Sequence, residues 1–448
     1  MLAGIVLSVS FSFILGVAVE AGEPKDFSPT ADESQMPRKM RSASKEQPRI
    51  RVGQSDADLV GNDQRALQAA VDYVAGLGGG IVEIGPGEYL MRDSLHLRSH
   101  VTVRGTPGKT LLRKAAGTVS PLAIDGDFGE EQITVEDPKG FEVGSGVAIW
   151  TSRVNGFHVT VARIIGRSGN ILALDKPLNS DCMISDGAKA ATIYPVVSGY
   201  DLEEARVENL IIEGDREHNL ALDGCRGGGI FLYRGFGTVI EGCTVRHYSG
   251  DGISFQQSND VTVRDCVCEE NAGLGLHPGS GSQRPMVQHC IARKNDTDGL
   301  FLCWRVRHGV FEDNVMEGNG RYGISIGHKD SDNLLRRNQV RDNVEEGVYF
   351  RPETIGMAGH RNRLEENVVE NNGRKGEVAG IRVRGAARDV VLKNNTIRDT
   401  RPEDARKQSV GIQFDESAGP ATVEDNTIEA RKSVVDRRRA EEPKPAQK

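Results

Sequence analysis

A glycine followed by alternating apolar and polar positions recurs along the second half of the chain. The glycines lie 23 or 24 residues apart from Gly229 to Gly347, and 33 and 31 residues apart afterwards. An apolar period of two, bounded by glycine and asparagine, predicts short β-strands and excludes helical repeats. The segments begin at Gly229, Gly252, Gly275, Gly299, Gly323, Gly347, Gly380 and Gly411.

Two further columns keep the register of the glycines. A repeat of 20–50 residues is typical of a solenoid. The Leu-x-x-Leu-x-Leu frame of leucine-rich repeats is absent, and a propeller needs roughly 40 or more residues per blade. We therefore predict an all-β parallel β-helix solenoid, in which an inward asparagine at each corner binds the coils above and below. The first column is Cys243, Cys266, Cys290, Asn314, Asn338, Asn367, Asn395 and Asn426, and the second is Asn271, Asn295, Asn319, Asn343 and Asn372.

The seven cysteines are an odd number and show no paired zinc spacing. Three of them occupy the first column, where we expect small buried apolar side chains, with a disulfide or a metal as the alternative. Cys266 and Cys268 share a strand face, and a bridge between them would be strained.

The first half of the chain is less regular. Residues 63–75 have helical apolar spacing and predict an N-terminal helix that caps the open end of the solenoid. Residues 49–130 then comprise this cap and the first coils. Residues 131–200 interrupt the repeat, either as an inserted β segment or as irregular coils, and regular repeats occupy residues 201–430.

The two ends of the chain have different compositions from the middle. Residues 2–19 are apolar and precede a small-x-small pattern, so residues 1–21 are predicted to be a signal peptide. An uncleaved anchor is the alternative. Residues 22–48 are predicted to be a disordered linker, and residues 431–448 a charged disordered tail. A secreted or periplasmic location without a further membrane span follows from this interpretation.

Composition narrows the function classes. The chain has 448 residues and a net charge of −8. An acidic chain without a basic aromatic-rich run argues against nucleic-acid binding. The 53 glycines, without a collagen period, agree with many turns.

The sequence resembles the pectin-lyase-like superfamily of right-handed parallel β-helix proteins. The resemblance rests on a helix, Gly78-Gly79-Gly80, the run Pro86-Gly87-Glu88-Tyr89, the run Val101-Thr102-Val103-Arg104-Gly105, and the repeats. It implies the fold, but one fold hosts many activities.

The catalytic motifs known in that superfamily are not retained. Alginate epimerase modules carry Tyr-Gly-x-Asp-Pro-His where this chain has Leu274-Gly275-Leu276-His277-Pro278, and Cys303 stands where their next aspartate is expected. The paired aspartates of polygalacturonases and the acidic calcium cluster of pectate lyases are also missing. We therefore expect no metal or other cofactor. Calcium is the alternative, but no motif in the sequence supports it.

Outward positions of the strands are the natural place for a site. Four consecutive coils, starting at Gly275, Gly299, Gly323 and Gly347, carry irregular histidine, lysine, arginine and aromatic residues. Elimination from a uronate needs a cation for the carboxylate, a base and an acid. The candidate catalytic residues are His277, His328, Lys329 and Tyr349, and the candidate substrate-binding residues are Trp304, Arg305, Arg351 and Glu353.

In this scheme Lys329 or His328 is the base and Tyr349 or His277 the acid. Arg351 or Arg305 faces the substrate carboxylate. Alanine at His277, Lys329 or Arg351 is expected to leave the fold intact.

These residues favour a secreted, monomeric, carbohydrate-active protein, with a lyase acting on an anionic, uronate-containing polysaccharide as the first hypothesis. A glycoside hydrolase using Asp251, Asp298 or Glu353 is the first alternative. A non-catalytic glycan-binding or periplasmic accessory protein is the second.

Overall fold

The protein is represented by a computed structural model that describes residues 46–438. The predicted signal peptide, most of the predicted linker and residues 439–448 lie outside the described residues. Three long parallel sheets wind around a common core, so the predicted all-β parallel β-helix is confirmed. Each strand pairs with the equivalent strand of the next coil; for example, Ile253 lies opposite Leu276, and Leu300 opposite Ile324.

The three sheets are defined by their strands within the described part of the chain. The first sheet comprises Leu59–Val60, Arg49–Gly53, Gly80–Ile84, Val101–Gly105, Arg206–Glu208, Val239–Glu241, Thr262–Arg264, Met286–Gln288, Val310–Glu312, Leu334–Arg336, Arg363–Glu365, Val390–Lys393 and Ala421–Glu424. The second comprises Gly87–Met91, Thr110–Lys114, Ile211–Glu213, Thr244–Arg246, Val267–Glu269, Ile291–Arg293, Val315–Glu317, Gln339–Arg341, Val368–Glu370, Thr396–Arg398 and Thr427–Glu429. The third comprises Leu95–His96, Val197–Tyr200, Ile230–Tyr233, Ile253–Gln256, Leu276–Gly279, Leu300–Phe301, Ile324–Ile326, Val348–Phe350, Ala379–Val383, Val410–Phe414 and Lys432–Asp436.

The predicted N-terminal helix is confirmed and spans Gln64–Gly76. Asp63 caps it, because its carboxylate accepts a hydrogen bond from the Arg65 amide at 3.0 Å. The helix buries Leu67, Val71 and their neighbours against the first coils, and its apolar face thus covers the end of the core.

Residues that interrupt the repeat form a separate antiparallel sheet. Its strands, in spatial order, are Val119–Pro121, Lys189–Ala191, Gly146–Trp150, Thr160–Ser168, Ile171–Leu174 and Gln132–Thr134. This sheet has its own apolar cluster and begins before residue 131. Short 3₁₀ turns lie at Gly156–His158, Ile184–Asp186 and Arg216–His218.

The two polar columns line the inside of the corners as predicted. Asn338 donates through Nδ2 to the Phe311 carbonyl and to Asn367 Oδ1, both at 2.9 Å, and its Oδ1 accepts from the Asn314 amide at 3.1 Å. Cys290 continues this column, and its amide donates to Asn314 Oδ1 at 2.9 Å. All seven cysteines are free thiols, so the disulfide alternative is wrong for this structure.

The C-terminal end differs from the expectation. Residues 431–448 were expected to be disordered, but Lys432–Asp436 forms a strand that pairs with Val410–Phe414. This strand extends the third sheet, because the exposed edge of the preceding strand offers it backbone hydrogen bonds.

Candidate functional site

The outward faces of the sheets differ in chemistry. On the first sheet, outward charges are paired with charges of opposite sign: Glu208 pairs with Arg104 at 2.5 Å and with Arg206 at 3.0 Å, and Glu241 pairs with Arg264 at 2.6 Å. Such a ladder neutralises itself. The outward face of the third sheet instead carries histidine, aromatic and thiol side chains, and it holds the predicted site residues.

A strained corner follows the strands of the third sheet. At three consecutive coils, two successive residues adopt positive φ: Ser280 and Gly281, Trp304 and Arg305, and His328 and Lys329. Elsewhere in residues 46–438 the non-glycine residues with positive φ occur singly. Backbone strain of this kind costs about 1 kcal/mol or more per residue and concentrates at functional positions. We call these six residues the corner ridge.

Main-chain hydrogen bonds hold the ridge in register. The Arg305 amide donates to the His328 carbonyl at 2.9 Å, and the Ser280 amide donates to the Cys303 carbonyl at 2.6 Å. The corners therefore stack one on another, and side chains from equivalent positions come together.

Trp304 and His328 stack on the ridge, with ring centroids 5.1 Å apart and planes at 20°. Trp304 is 40% exposed. His328 Nε2 lies 2.8 Å from Glu353 Oε1, and its Nδ1 is buried without a hydrogen-bond partner. Burial, together with the charge of Arg351, lowers the pKa of His328 although Glu353 opposes the shift. The imidazole is thus neutral at pH 7, and its Nε2 lies in contact with the Glu353 carboxylate.

A cationic residue directly follows each of the two stacked residues in the sequence. Arg305 is exposed and Lys329 half-buried, and neither side chain has an ion-pair or hydrogen-bond partner among residues 46–438. Most arginines of the solenoid wall are paired, so these two are available to an anion. Trp304, Arg305, His328, Lys329 and Glu353 are therefore brought together at one surface.

His277 lies apart from that surface. It is only 4% exposed, and its Nδ1 lies 2.6 Å from Asp251 Oδ2. Burial lowers its pKa, but hydrogen bonds with Asp251 and with Cys303 outweigh burial and raise the pKa to about 10. A Cβ on Gly224 would lie 1.8 Å from Asp251 Oδ2, so the main chain of Gly224 covers this pair. His277 is a buried cation and not a surface acid.

Arg351 is also held inside the wall. Its guanidinium donates to Ser325 Oγ at 2.8 Å, to the Leu302 carbonyl at 2.7 Å and to Asp330 Oδ2 at 3.0 Å. It lies 4.3 Å from the ring centroid of Phe301, whose ring also makes an edge contact with His277. These partners hold the guanidinium of Arg351 in place beneath the ridge, so it does not reach a substrate carboxylate.

Two expectations change because of this burial. Alanine at His277 would leave Asp251 buried without its partner, and alanine at Arg351 would do the same to Asp330. The expectation that either substitution leaves the fold intact is therefore corrected, whereas it stays a prediction for Lys329.

Tyr349 is 6% exposed and stacks on Tyr322 with centroids 4.1 Å apart. Its hydroxyl accepts a hydrogen bond from Arg384 at 2.8 Å. It is one coil beyond His328 along the third sheet, with Tyr349 opposite Ser325. Tyr322 was not foreseen from the sequence, although it directly precedes Gly323, which starts a coil.

No group of three or more His, Cys, Asp or Glu side chains suited to a metal ion occurs within the described range. Across the same residues, no helix is long and apolar enough to cross a membrane.

Comparison with known proteins places the fold. The family model "Right handed beta helix region" matches residues 208–352, and the model "Periplasmic copper-binding protein (NosD)" matches residues 283–435. Each match covers less than half of the chain. The solenoid is thus of the right-handed kind, and the resemblance to pectin-lyase-like proteins is confirmed for the fold.

Curated relatives include mannuronan C5-epimerases of Azotobacter vinelandii. AlgE5 is 26% identical over 136 residues, which are 30% of this chain and 13% of that protein, and AlgE1 is 27% identical over 117 residues, 25% and 8% of the two chains. The match thus spans about an eighth or less of these relatives.

Solved structures extend the likeness over most of the chain. The A-module of mannuronan C-5 epimerase AlgE4 from Azotobacter vinelandii has a TM-score of 0.56 and 17% identity, and the match covers 86% of this chain and 97% of that module. ORF18 of Geobacillus virus E2 has a TM-score of 0.51 and 12% identity, with 84% and 60% covered. At such identities the likeness shows the fold alone.

Proposed function

We propose that the protein is a carbohydrate-active β-helix protein that binds an acidic, uronate-containing polysaccharide across the corner ridge and cleaves it as a lyase. The observation that carries the proposal is the exposed Trp304 on the same ridge as two cations that have no partner in the described chain, Arg305 and Lys329. The mannuronan epimerases that share this fold act on a uronate polymer by their names, which supports the choice of substrate class.

Binding follows from the chemistry of the ridge. The indole face of Trp304 offers a flat apolar surface to the C–H face of a pyranose, worth about 25 cal/mol per Å² that is removed from water. Arg305 presents a planar fork that matches a carboxylate, and Lys329 supplies a second positive charge one coil away. Two cations on adjacent coils suit a polymer that carries a carboxylate on each sugar.

The same residues provide the groups that an elimination needs. The imidazole of His328 is neutral at pH 7 and is the favoured group to take the C5 proton, for which the ring must turn its unpaired Nδ1, buried in this structure, toward the substrate. The electron pair of that C–H bond forms the C4–C5 double bond as the C4–O4 bond breaks. Lys329, as an ammonium, is placed to protonate the leaving oxygen, and Arg305 neutralises the carboxylate.

A glycoside hydrolase is less well supported. It needs two carboxyl groups with different roles beside the bond, but the three candidates are engaged. Asp251 is bound to His277, Asp298 is fully buried and paired with Arg321 at 2.7 Å, and Glu353 is bound to His328. Secretion or a periplasmic location belongs to the same proposal, supported by the apolar residues 2–19 and by the match to a periplasmic family.

The test uses polygalacturonate and alginate with the purified protein. We expect an ultraviolet-absorbing unsaturated product, because elimination leaves a double bond next to the carboxylate. His328→Gln, which retains a donor toward Glu353, should reduce turnover at least 100-fold, because it removes the base. Trp304→Ala and Lys329→Ala should weaken binding about tenfold.

His289→Gln is the matched control, because the His289 side chain is 59% exposed in the turn that follows the first-sheet strand Met286–Gln288. It should behave as the wild type. New reducing ends without ultraviolet absorption would show a hydrolase instead. Binding that depends on Trp304 without any product would show the non-catalytic alternative.

A further inference from the structure

A second anion-binding feature lies nearer the C-terminal end of the third sheet. A cavity of ≈ 400 Å³ opens there, within the roughly 300–1,000 Å³ that small-molecule sites occupy. Its walls come from four successive coils and include Glu346, Arg382, Gln413, Lys432 and Arg437. Val378, Ala379 and Val410 add apolar surface. We call it the C-terminal cavity.

The residues that line this cavity carry more positive than negative charge. Arg382 bridges Glu346 and Asp415, at 3.1 Å from each. Arg431 is likewise paired, at 3.2 Å from both Glu377 and Glu403. Lys432 and Arg437 are exposed and have no side-chain partner within residues 46–438. The lining therefore holds four cations, Arg382, Arg431, Lys432 and Arg437, against two carboxylates, Glu346 and Glu377, whereas Asp415 and Glu403 lie outside it.

Polar groups for a sugar are also present. Gln413 is 8% exposed, and its Nε2 donates to Asp415 Oδ1 at 2.7 Å, which fixes the direction of the carboxamide. Arg382 Nε is buried without a hydrogen-bond partner. A ligand with hydroxyl and carboxylate oxygens would satisfy such groups, and a purely apolar ligand would not.

The cavity and the corner ridge share one face of the solenoid. Arg382 lies opposite Tyr349 in the sheet register, and Gln413 lies opposite Arg382. From the coil of Trp304 to the coil of Arg382 there are three steps, or about 14 Å at the usual strand spacing. An oligosaccharide of several units spans that distance, whereas a single sugar does not.

We propose that the C-terminal cavity is a distal subsite that binds one carboxylated sugar of an acidic polysaccharide, with Lys432 and Arg437 holding its carboxylate. This inference rests on the proposed function, because the chain that fills the cavity also crosses the ridge. The subsite lengthens the stretch of polymer that the protein recognises, so long oligomers bind more tightly than short ones.

The test measures dissociation constants by calorimetry for trimers and hexamers of galacturonate and of mannuronate. The cavity variant is Lys432→Ser with Arg437→Ser, the ridge variant is Arg305→Ser with Lys329→Ser, and the control is Lys109→Ser with Lys139→Ser, which removes two exposed cations elsewhere. We expect the cavity variant to weaken hexamer binding at least tenfold and to leave trimer binding unchanged. The ridge variant should weaken both, and the control neither.

The outcomes separate the two proposals. A cavity variant that binds the hexamers as tightly as the wild type overturns the distal subsite and leaves the proposed function standing. Loss of hexamer binding in the cavity variant, with no loss in the ridge variant, overturns the ridge and keeps the cavity as a uronate site. Carboxyl-reduced hexamers that bind the wild type equally well overturn the role of the carboxylate. Wild-type protein that binds neither oligomer overturns both proposals.

Discussion

At the scale of single residues, the position of a side chain on a strand does not decide whether it meets solvent. His277, Tyr349 and Arg351 all occupy outward positions of the third sheet, yet each is almost covered. Neighbouring coils stand close enough for long side chains to lie over one another. Turn residues that follow the strands protrude instead, which is why Trp304 and Arg305 are exposed.

The charge of His277 predicts a pH dependence of stability. Its pKa is raised from 6.5 to about 10 by Asp251 and Cys303 despite burial. A raised histidine pKa stabilises the folded protein fully below the unfolded pKa, and this contribution is lost as pH rises from about 6.5 to about 10. Relative to His277→Gln, the wild type should lose more than about 2 kcal/mol of unfolding free energy across that range.

Urea unfolding at pH 6.5 and at pH 10 measures this difference. Comparison with the variant removes the contributions of other titrating groups, such as Lys114, whose pKa is lowered to about 7 by burial. His289→Gln, at an exposed position, should follow the wild type. Parallel pH profiles for wild type and His277→Gln would contradict the assignment.

The strain at Arg305 predicts a conflict between stability and binding. Arg305 has φ of 66°, and glycine adopts this conformation without steric cost. Arg305→Gly should therefore raise the unfolding free energy by about 0.5–1 kcal/mol, after its greater entropy in the unfolded chain is counted. The same variant should bind polyuronates more weakly. Lower stability together with unchanged binding would show that the corner is merely a structural turn.

At the scale of elements, the sequence predicted the features that recur from coil to coil. The strands, the asparagine columns and the cap helix follow from periodicity and from the register of glycine and asparagine. The paired positive-φ corners could not be predicted, because Trp304, Arg305, His328 and Lys329 have no turn preference of their own. The covering of His277 by Gly224 could not be predicted either, since it depends on an irregular connection that breaks the repeat.

The asparagine column gives a prediction for this scale. Asn338→Leu should lower the unfolding free energy by about 3 kcal/mol, because the Asn314 amide and the Phe311 carbonyl would be left buried without partners. Denaturant midpoints measure the change. Asn426→Leu is the matched control at the more exposed end of the same column, where water replaces the lost bonds, and it should cost about 1 kcal/mol or less. Equal losses for the two variants would contradict the role of burial in the column.

At the scale of the whole molecule, each regular coil contacts chiefly the coils beside it. The free energy of unfolding of such a solenoid is close to the sum of the contributions of the single coils and of the interfaces between neighbouring coils. The coils between Gly275 and Gly347 have equal lengths of 24 residues, so their ends superimpose. The polymer-binding face that we propose exists only because this equality keeps corner residues of successive coils in register.

Deletion of one coil tests that argument. Removal of residues 299–322 joins Asp298 to Gly323 and places Asn343 next to Asn295 in the second column. We expect a soluble, cooperatively unfolding protein with an unchanged far-ultraviolet circular dichroism shape. This variant should not bind polyuronates, because the deletion removes Trp304 and Arg305. His328 also loses the ring on which it stacks. Removal of residues 299–310 is the control, since half a coil cannot close a turn of the solenoid, and this variant should misfold. If the two deletions were equally disruptive, the coils would not be interchangeable units, and the spacing of the ridge would have to come from contacts specific to each coil.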